Sequence, residues 1–154
     1  MSTSGLIKFI ASGLYTSYGK RFYPGSRGTI PAWLIAYFLV RGNQTALYIL
    51  AAVFTVLSVV IANEAEKIWG HDSKKIVTDE WAGMMITLIA VPYSLLNYFI
   101  GFVIFRLADG IKVFPADRAE RLPRGWGVTA DDIVAGIQAC LITHAIIFAI
   151  NKYL

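Results

Sequence analysis

Four stretches of the chain carry no charged residue: Thr29–Val40, Thr45–Ala62, Trp81–Phe105 and Ile133–Asn151, of 12, 18, 25 and 19 residues. A helix rises about 1.5 Å per residue, and the hydrocarbon core of a bilayer is roughly 30 Å thick. Thr45–Ala62 and Ile133–Asn151 therefore predict spanning helices. Thr29–Val40 predicts a short one, roughly 18 Å long, that needs tilt or local thinning of the bilayer. Upstream, Leu6, Ile7, Phe9, Ile10 and Leu14 are interrupted by Lys8, and no small-residue cleavage pattern follows. Met1–Tyr18 is read as an interfacial helix or re-entrant segment rather than a signal peptide.

Trp81–Phe105 allows two arrangements. A single helix kinked at Pro92 would be about 37 Å long and cross once. Two short helices turning at Pro92-Tyr93-Ser94 would return to the side they left. Charge placement favours the hairpin. All ten acidic residues fall between Glu64 and Glu80 or between Asp109 and Asp132, and a hairpin brings those two segments together. It also gathers 12 of the 14 basic residues on that side, leaving Arg41 and Lys152 opposite. That asymmetry is what a cytoplasmic face shows. The expected fold is all-α: a small polytopic membrane bundle with an interfacial N-terminal helix and short helices forming a hairpin around Pro92.

Composition agrees. The 154 residues predict one domain, 1–154, and 56% are hydrophobic against 16% charged. Soluble domains sit near 45–50% and about 25%. Net charge is +4. In so apolar a chain this reads as loops facing anionic lipid rather than as a nucleic-acid footprint. The single Cys excludes an internal disulfide framework.

Candidate chemistry lies at the ends of the apolar runs. Asp79-Glu80 precedes Trp81, with Gly83 four residues after Asp79. Arg106, Asp109 and Lys112 recur every third residue, which places them on one face of a helix that continues that far. Gly125-Trp126-Gly127 reads as a glycine-bearing loop leading into Asp131-Asp132, with Gly136 again four residues on. Pro24–Thr29 reads as a glycine-rich turn whose N–H groups suit phosphate. Each has a plainer explanation in helix capping, turns or salt bridges. Two acid pairs and a further Asp at a membrane boundary are more than capping requires, and carboxylate oxygens suit a hard cation such as Mg²⁺.

Ile76–Gly83, Phe105–Lys112 and Gly125–Gly136, taken in order with Pro24–Thr29, resemble the phosphatidylglycerophosphatase A family from about residue 20 to about residue 140. The resemblance implies a bacterial inner-membrane, multi-pass enzyme with its site facing the cytoplasm. It would use Mg²⁺ to hydrolyse phosphatidylglycerophosphate to phosphatidylglycerol and phosphate. Carried over by position, Asp79, Glu80, Asp109, Asp131 and Asp132 are the catalytic acids, with Asp79, Glu80, Asp131 and Asp132 as metal ligands. Arg106, Lys112, Arg27, Ser26 and Thr29 are the phosphate-binding set. Asp72-Ser73, Val113 and Arg124 depart from the family pattern in the loops that face the headgroup. Partners are then the phospholipid substrate and membrane lipids, with no nucleic acid.

Covalent routes fit poorly. Cys140 lies within the last apolar run with no Arg six residues later, and His144 is read as a packing residue there. No Asp-x-Asp pair exists for an aspartyl-phosphate. Two rivals stand: a phosphatase for another lipid headgroup, and a non-enzymatic cation-binding membrane protein whose acids and bases simply pair.

Overall fold

The computed structural model describes residues 2–18, 24–70 and 73–153. Those residues form helices and connecting turns, with no strand among them. In chain order the elements are α1 (Thr3–Ala11), α2 (Pro24–Leu34) continuing into a π-helical segment (Ile35–Val40), α3 (Gln44–Trp69), α4 (Thr78–Thr87), α5 (Leu95–Ile111), the single turn α6 (Ala116–Ala119) and α7 (Gly125–Tyr153).

The two predicted spanning runs lie inside α3 and α7, of 26 and 29 residues, both long and apolar enough to cross a membrane. Asn43 starts α3 by accepting the Ala46 N–H at 3.1 Å, and Gly70, at φ 87°, ends it. Their outward faces are apolar: Val56 and Leu141 are about two-thirds exposed. Side chains of that kind belong against lipid rather than water.

The short run expected at Thr29–Val40 is longer than its charge-free core. The helix begins at Pro24, because Arg27 interrupts the hydropathy without interrupting the backbone, and proline suits a first helical position. Pro31 removes one hydrogen bond within α2, yet the chain stays helical to Val40. The glycine-rich turn expected at Pro24–Thr29 is therefore the first turn and a half of α2. The loop expected at Gly125–Gly127 is likewise helical, so Asp131 and Asp132 are the seventh and eighth residues of α7. Two turns inside a helix, they serve no capping role.

Trp81–Phe105 doubles back. α4 ends at Thr87, Ala90 adopts φ 58°, and Ser94 starts α5 by accepting the Asn97 N–H at 3.1 Å. The tip is pinned to the far end of α2 and the near end of α3. Gln44 Oε1 accepts the Ala90 N–H at 2.8 Å, and the Tyr93 hydroxyl donates to the Tyr37 carbonyl at 3.0 Å.

α4 is the hub, packed between α3 and α7 with α2 and α5 beside it. Met84, Met85, Leu88, Leu47, Tyr98 and Phe105 are fully buried around it. Its closest approach is to α7. A Cβ on Gly136 would stand 2.6 Å from the Gly83 carbonyl oxygen, and one on Gly83 would stand 2.7 Å from the Asp132 carbonyl oxygen. The repeated Asp–Gly spacing is thus a helix crossing at which two backbones touch, as small residues permit. α1 packs against α3 through Ala11, Ala62 and Ala65, and the Val77 N–H donates to the Ala11 carbonyl at 2.9 Å.

Candidate active site

The glycine crossing fixes the distance between the two acid pairs. One helical turn above it lie Asp79 and Glu80 on α4 and Asp131 and Asp132 on α7, all buried. The end of α5 brings Arg106 and Asp109, and Lys112 caps that helix in the left-handed conformation at φ 51°. These residues line one cavity of about 380 Å³, with Gly25 of α2 and Ser73 and Lys74 of the preceding loop on its rim. All five expected acids and two of the expected bases therefore meet in one place.

Within it, charges are cross-linked. Arg106 Nη1 lies 2.7 Å from Asp109 Oδ2 and 3.3 Å from Glu80 Oε1. Lys112 Nζ lies 2.8 Å from Asp131 Oδ2 and 2.7 Å from Glu120 Oε1. The Thr29 hydroxyl, fully buried, donates to Glu80 Oε2 at 2.6 Å and accepts from Arg106 Nη1 at 3.3 Å. Within each acid pair the second backbone N–H donates to the first carboxylate, at 3.0 Å in both. Ser58 and Thr129 hydrogen-bond at 2.8 Å, and Asn63 Oδ1 accepts the Gly125 N–H at 2.9 Å. These contacts fasten the start of α7 to α3 and hold the Asp131–Asp132 turn in place.

Burial dominates the electrostatics. It raises the Asp79 carboxyl to about 8, reinforced by the nearby Asp131 charge. It also lifts Glu80 well above the usual range, opposed by Arg106. Burial alone would lower the Lys112 ammonium, but its bonds to Asp131 and Glu120 outweigh that and hold it above its ordinary value. A pocket that strains to keep carboxylates ionised favours a bound cation or a bound proton.

The donor set suits a hard cation: carboxylate oxygens facing one cavity, with Asp132 Oδ1 buried and without a hydrogen-bond partner. Among the described residues, however, no three acidic, His or Cys side chains are grouped closely enough to hold a metal ion. Glu80 is engaged by Arg106 and Thr29, and Asp131 by Lys112. Asp79 and Asp132 carry no such ion pair, which leaves them the less engaged carboxylates.

Three expected phosphate contacts fall elsewhere. Arg27 donates from Nη2 to the Ser17 carbonyl at 3.2 Å, and neither it nor Ser26 lines the cavity. Thr29 lies beneath the cavity and orients Glu80 and Arg106. The helical start of α2 explains all three, because it turns these side chains about the helix axis instead of presenting them from a loop. Residues not anticipated are Lys74, a cavity cation from a basic loop, and Glu120, which holds Lys112. The signal for Lys74 lay in its position five residues before Asp79; Glu120 carried none. His71 and Asp72 lie outside the described residues.

Fold and site together define an all-helical protein with two membrane-length helices and a buried, acid-rich pocket where they meet a helical hairpin. The chain belongs to the phosphatidylglycerophosphatase A family, whose model matches residues 9–147, and so is a phosphoric monoester hydrolase. Three relatives show the same likeness. A Bacteroides thetaiotaomicron protein, named provisionally as a phosphatidylinositol-3-phosphatase, is 33% identical over 82% of this chain and 87% of its own length. Phosphatidylglycerophosphatase A of Escherichia coli K12 is 36% identical over 79% of this chain and 71% of its own. Phosphatidylglycerophosphatase A of Haemophilus influenzae is 29% identical over 80% and 78%. No solved structure matches.

Proposed function

We propose that the protein hydrolyses the terminal phosphate of phosphatidylglycerophosphate, with Mg²⁺, at the cytoplasmic face of a bacterial inner membrane. The observation that carries this is the single cavity in which acids from α4, α5 and α7 meet the bases Arg106, Lys112 and Lys74. The bases receive the phosphate dianion, and the acids handle cation and proton. The family supports lipid-phosphate hydrolysis. The charge pattern of the sequence, with 12 of 14 basic residues expected on one side of the hairpin, supports a cytoplasmic placement.

In this reading Asp79 and Asp132 hold the cation, with Asp131 and Glu80 beside them. When bound, the cation neutralises phosphoryl oxygens and polarises water. Lys112 and Arg106 balance the charge that develops as the glycerol oxygen leaves. Thr29 holds Glu80, and through it Arg106, in register. Arg106 and Lys112 are already tied to acids, so phosphate must exchange with Asp109 or Asp131 for a place on them.

A second reading, hydrolysis of a phosphoinositide, is favoured by the name of the Bacteroides relative. Phosphate release from phosphatidylglycerophosphate, phosphatidylinositol-3-phosphate and phosphatidic acid, with Mg²⁺ or with EDTA, separates the two. Expected is Mg²⁺-dependent release from the first, lost in Asp79→Asn. Release from none, or release insensitive to EDTA, overturns the proposal.

A further inference from the structure

We propose that the groove between α5 and α7 seats one acyl chain of the lipid whose phosphate occupies the polar cavity; this rests on the lipid-phosphate reading above. The groove has a volume of about 410 Å³ and is lined by Ile104, Ala108 and Ile111 of α5 and by Gln138, Leu141 and Ile142 of α7. It adjoins the site at Lys112, a cavity residue whose chain neighbours Ile111 and Val113 line the groove. On α7, Asp131, Gln138 and Ile142 are seven and then four residues apart, one stripe down a single face. On the antiparallel α5, Ala108 and Ile104 form the matching stripe, with Lys112 following the last turn of the helix. The 2.8 Å Lys112–Asp131 ion pair joins the two stripes at the top, at the boundary of the polar cavity.

Below that pair the seam is apolar. Its one polar lining group, the Gln138 amide, donates to the Phe114 carbonyl at 2.9 Å and the Val113 carbonyl at 3.3 Å, so it closes the rim without offering polarity to the groove. From Asp131 to Ile142 the rise is about 16 Å, close to one leaflet of a core roughly 30 Å thick. A phosphate in the cavity therefore leaves a glycerol-linked chain at the groove's mouth, with a leaflet's depth of apolar wall beneath it. The apolar hollows on α3 (Ala52 to Val60) and between α2 and α5 (Trp33, Phe99) are lined by no chain neighbour of a cavity residue, whereas Ile111 and Val113 of this groove flank Lys112. They serve as internal comparisons for bulk lipid.

Two measurements test this on the full-length protein in mixed micelles. In the first, Leu141→Trp partly fills the groove. Expected is a rise of about tenfold in KM for dioleoyl phosphatidylglycerophosphate, with KM for the dihexanoyl form unchanged because its short chains do not reach Leu141. Equal effects on both substrates, or no effect on either, overturn the proposal. In the second, phosphatidylglycerophosphate and phosphatidylcholine carrying the same diazirine-labelled acyl chain are photo-crosslinked and mapped by peptide mass spectrometry. Expected is severalfold heavier labelling of residues 104–111 and 138–142 by the phosphate-bearing probe, with equal labelling of the α3 face by both. Equal labelling of the groove overturns the proposal. This arm needs no turnover: headgroup-selective labelling without phosphate release would remove the hydrolysis reading and leave the groove standing.

Discussion

Gly136→Ala perturbs the α4–α7 crossing and nothing else. The added methyl would stand 2.6 Å from the Gly83 carbonyl oxygen and 3.0 Å from its Cα, both backbone atoms that cannot swing aside. Ordinary contact begins at 3.4 Å, so the helices must part by roughly 0.8 Å. Overpacking of this kind costs about 1–3 kcal/mol. For a chain of this length each kcal/mol lowers Tm by about 2–4 °C. Function suffers more, because Asp132 and Asp79 lie one turn from the crossing and move apart with it. A misplacement near 1 Å costs about a hundredfold in rate. Thermal unfolding by circular dichroism in detergent reads the first effect, and phosphate release reads the second. Gly110→Ala is the stability control: no atom lies within 4 Å of its added Cβ, so Tm should hold or rise. A Gly136→Ala protein with wild-type Tm and kcat would refute the claim that this crossing sets the site.

Three further outcomes follow from the same geometry. Arg106→Met leaves Glu80 buried without its cation and should cost about 3–5 kcal/mol where Glu80 is ionised; the loss shrinks as pH falls and Glu80 takes up a proton, and denaturant unfolding across a pH series checks it. The Asp79 carboxyl sits at about 8 in the fold against an ordinary 3.8, so the folded chain keeps a proton that the unfolded chain has released. Its stabilisation is full below about pH 4 and is lost as pH rises through about 8. Metal-free protein should therefore lose Tm between pH 5 and pH 8, Asp79→Asn should flatten that slope, and an unchanged slope counts against the assignment. Thr29→Val removes the hydrogen bond that orients Glu80 and should lower kcat about tenfold, while Ser26→Ala, outside the cavity, should stay within about twofold; steady-state kinetics on the two variants distinguishes a positioning threonine from a phosphate-contacting serine.

The site was more legible than the elements that carry it. The distribution of acids and bases predicted that Pro92 marks a turn, because only a hairpin brings Asp79 and Asp131 to one end. What the chain concealed was helix extent. Glycine lowers helix propensity, so Pro24–Thr29 and Gly125–Gly127 read as a turn and a loop. Here tertiary packing overrides propensity: Gly25 lies against Glu80 and Arg106, and Gly125 against the backbone of Val59 and Asn63, positions no larger residue could take. That same extension carried Ser26 and Arg27 off the cavity. Periodicity could place Arg106, Asp109 and Lys112 on one face, but it could not reveal that Glu120, from a single turn of helix, would claim Lys112.

Lys112 holds its amine in place at some expense to the backbone. A left-handed residue closing a helix is the natural station of glycine, and a lysine there forgoes stability that glycine would recover. Glycine at 112 would relax that backbone yet leave the buried Asp131 without its ammonium, the larger loss. A descendant that had abandoned the reaction could shed Lys112 only together with Asp131, so the joint loss of the two would distinguish relics from working copies.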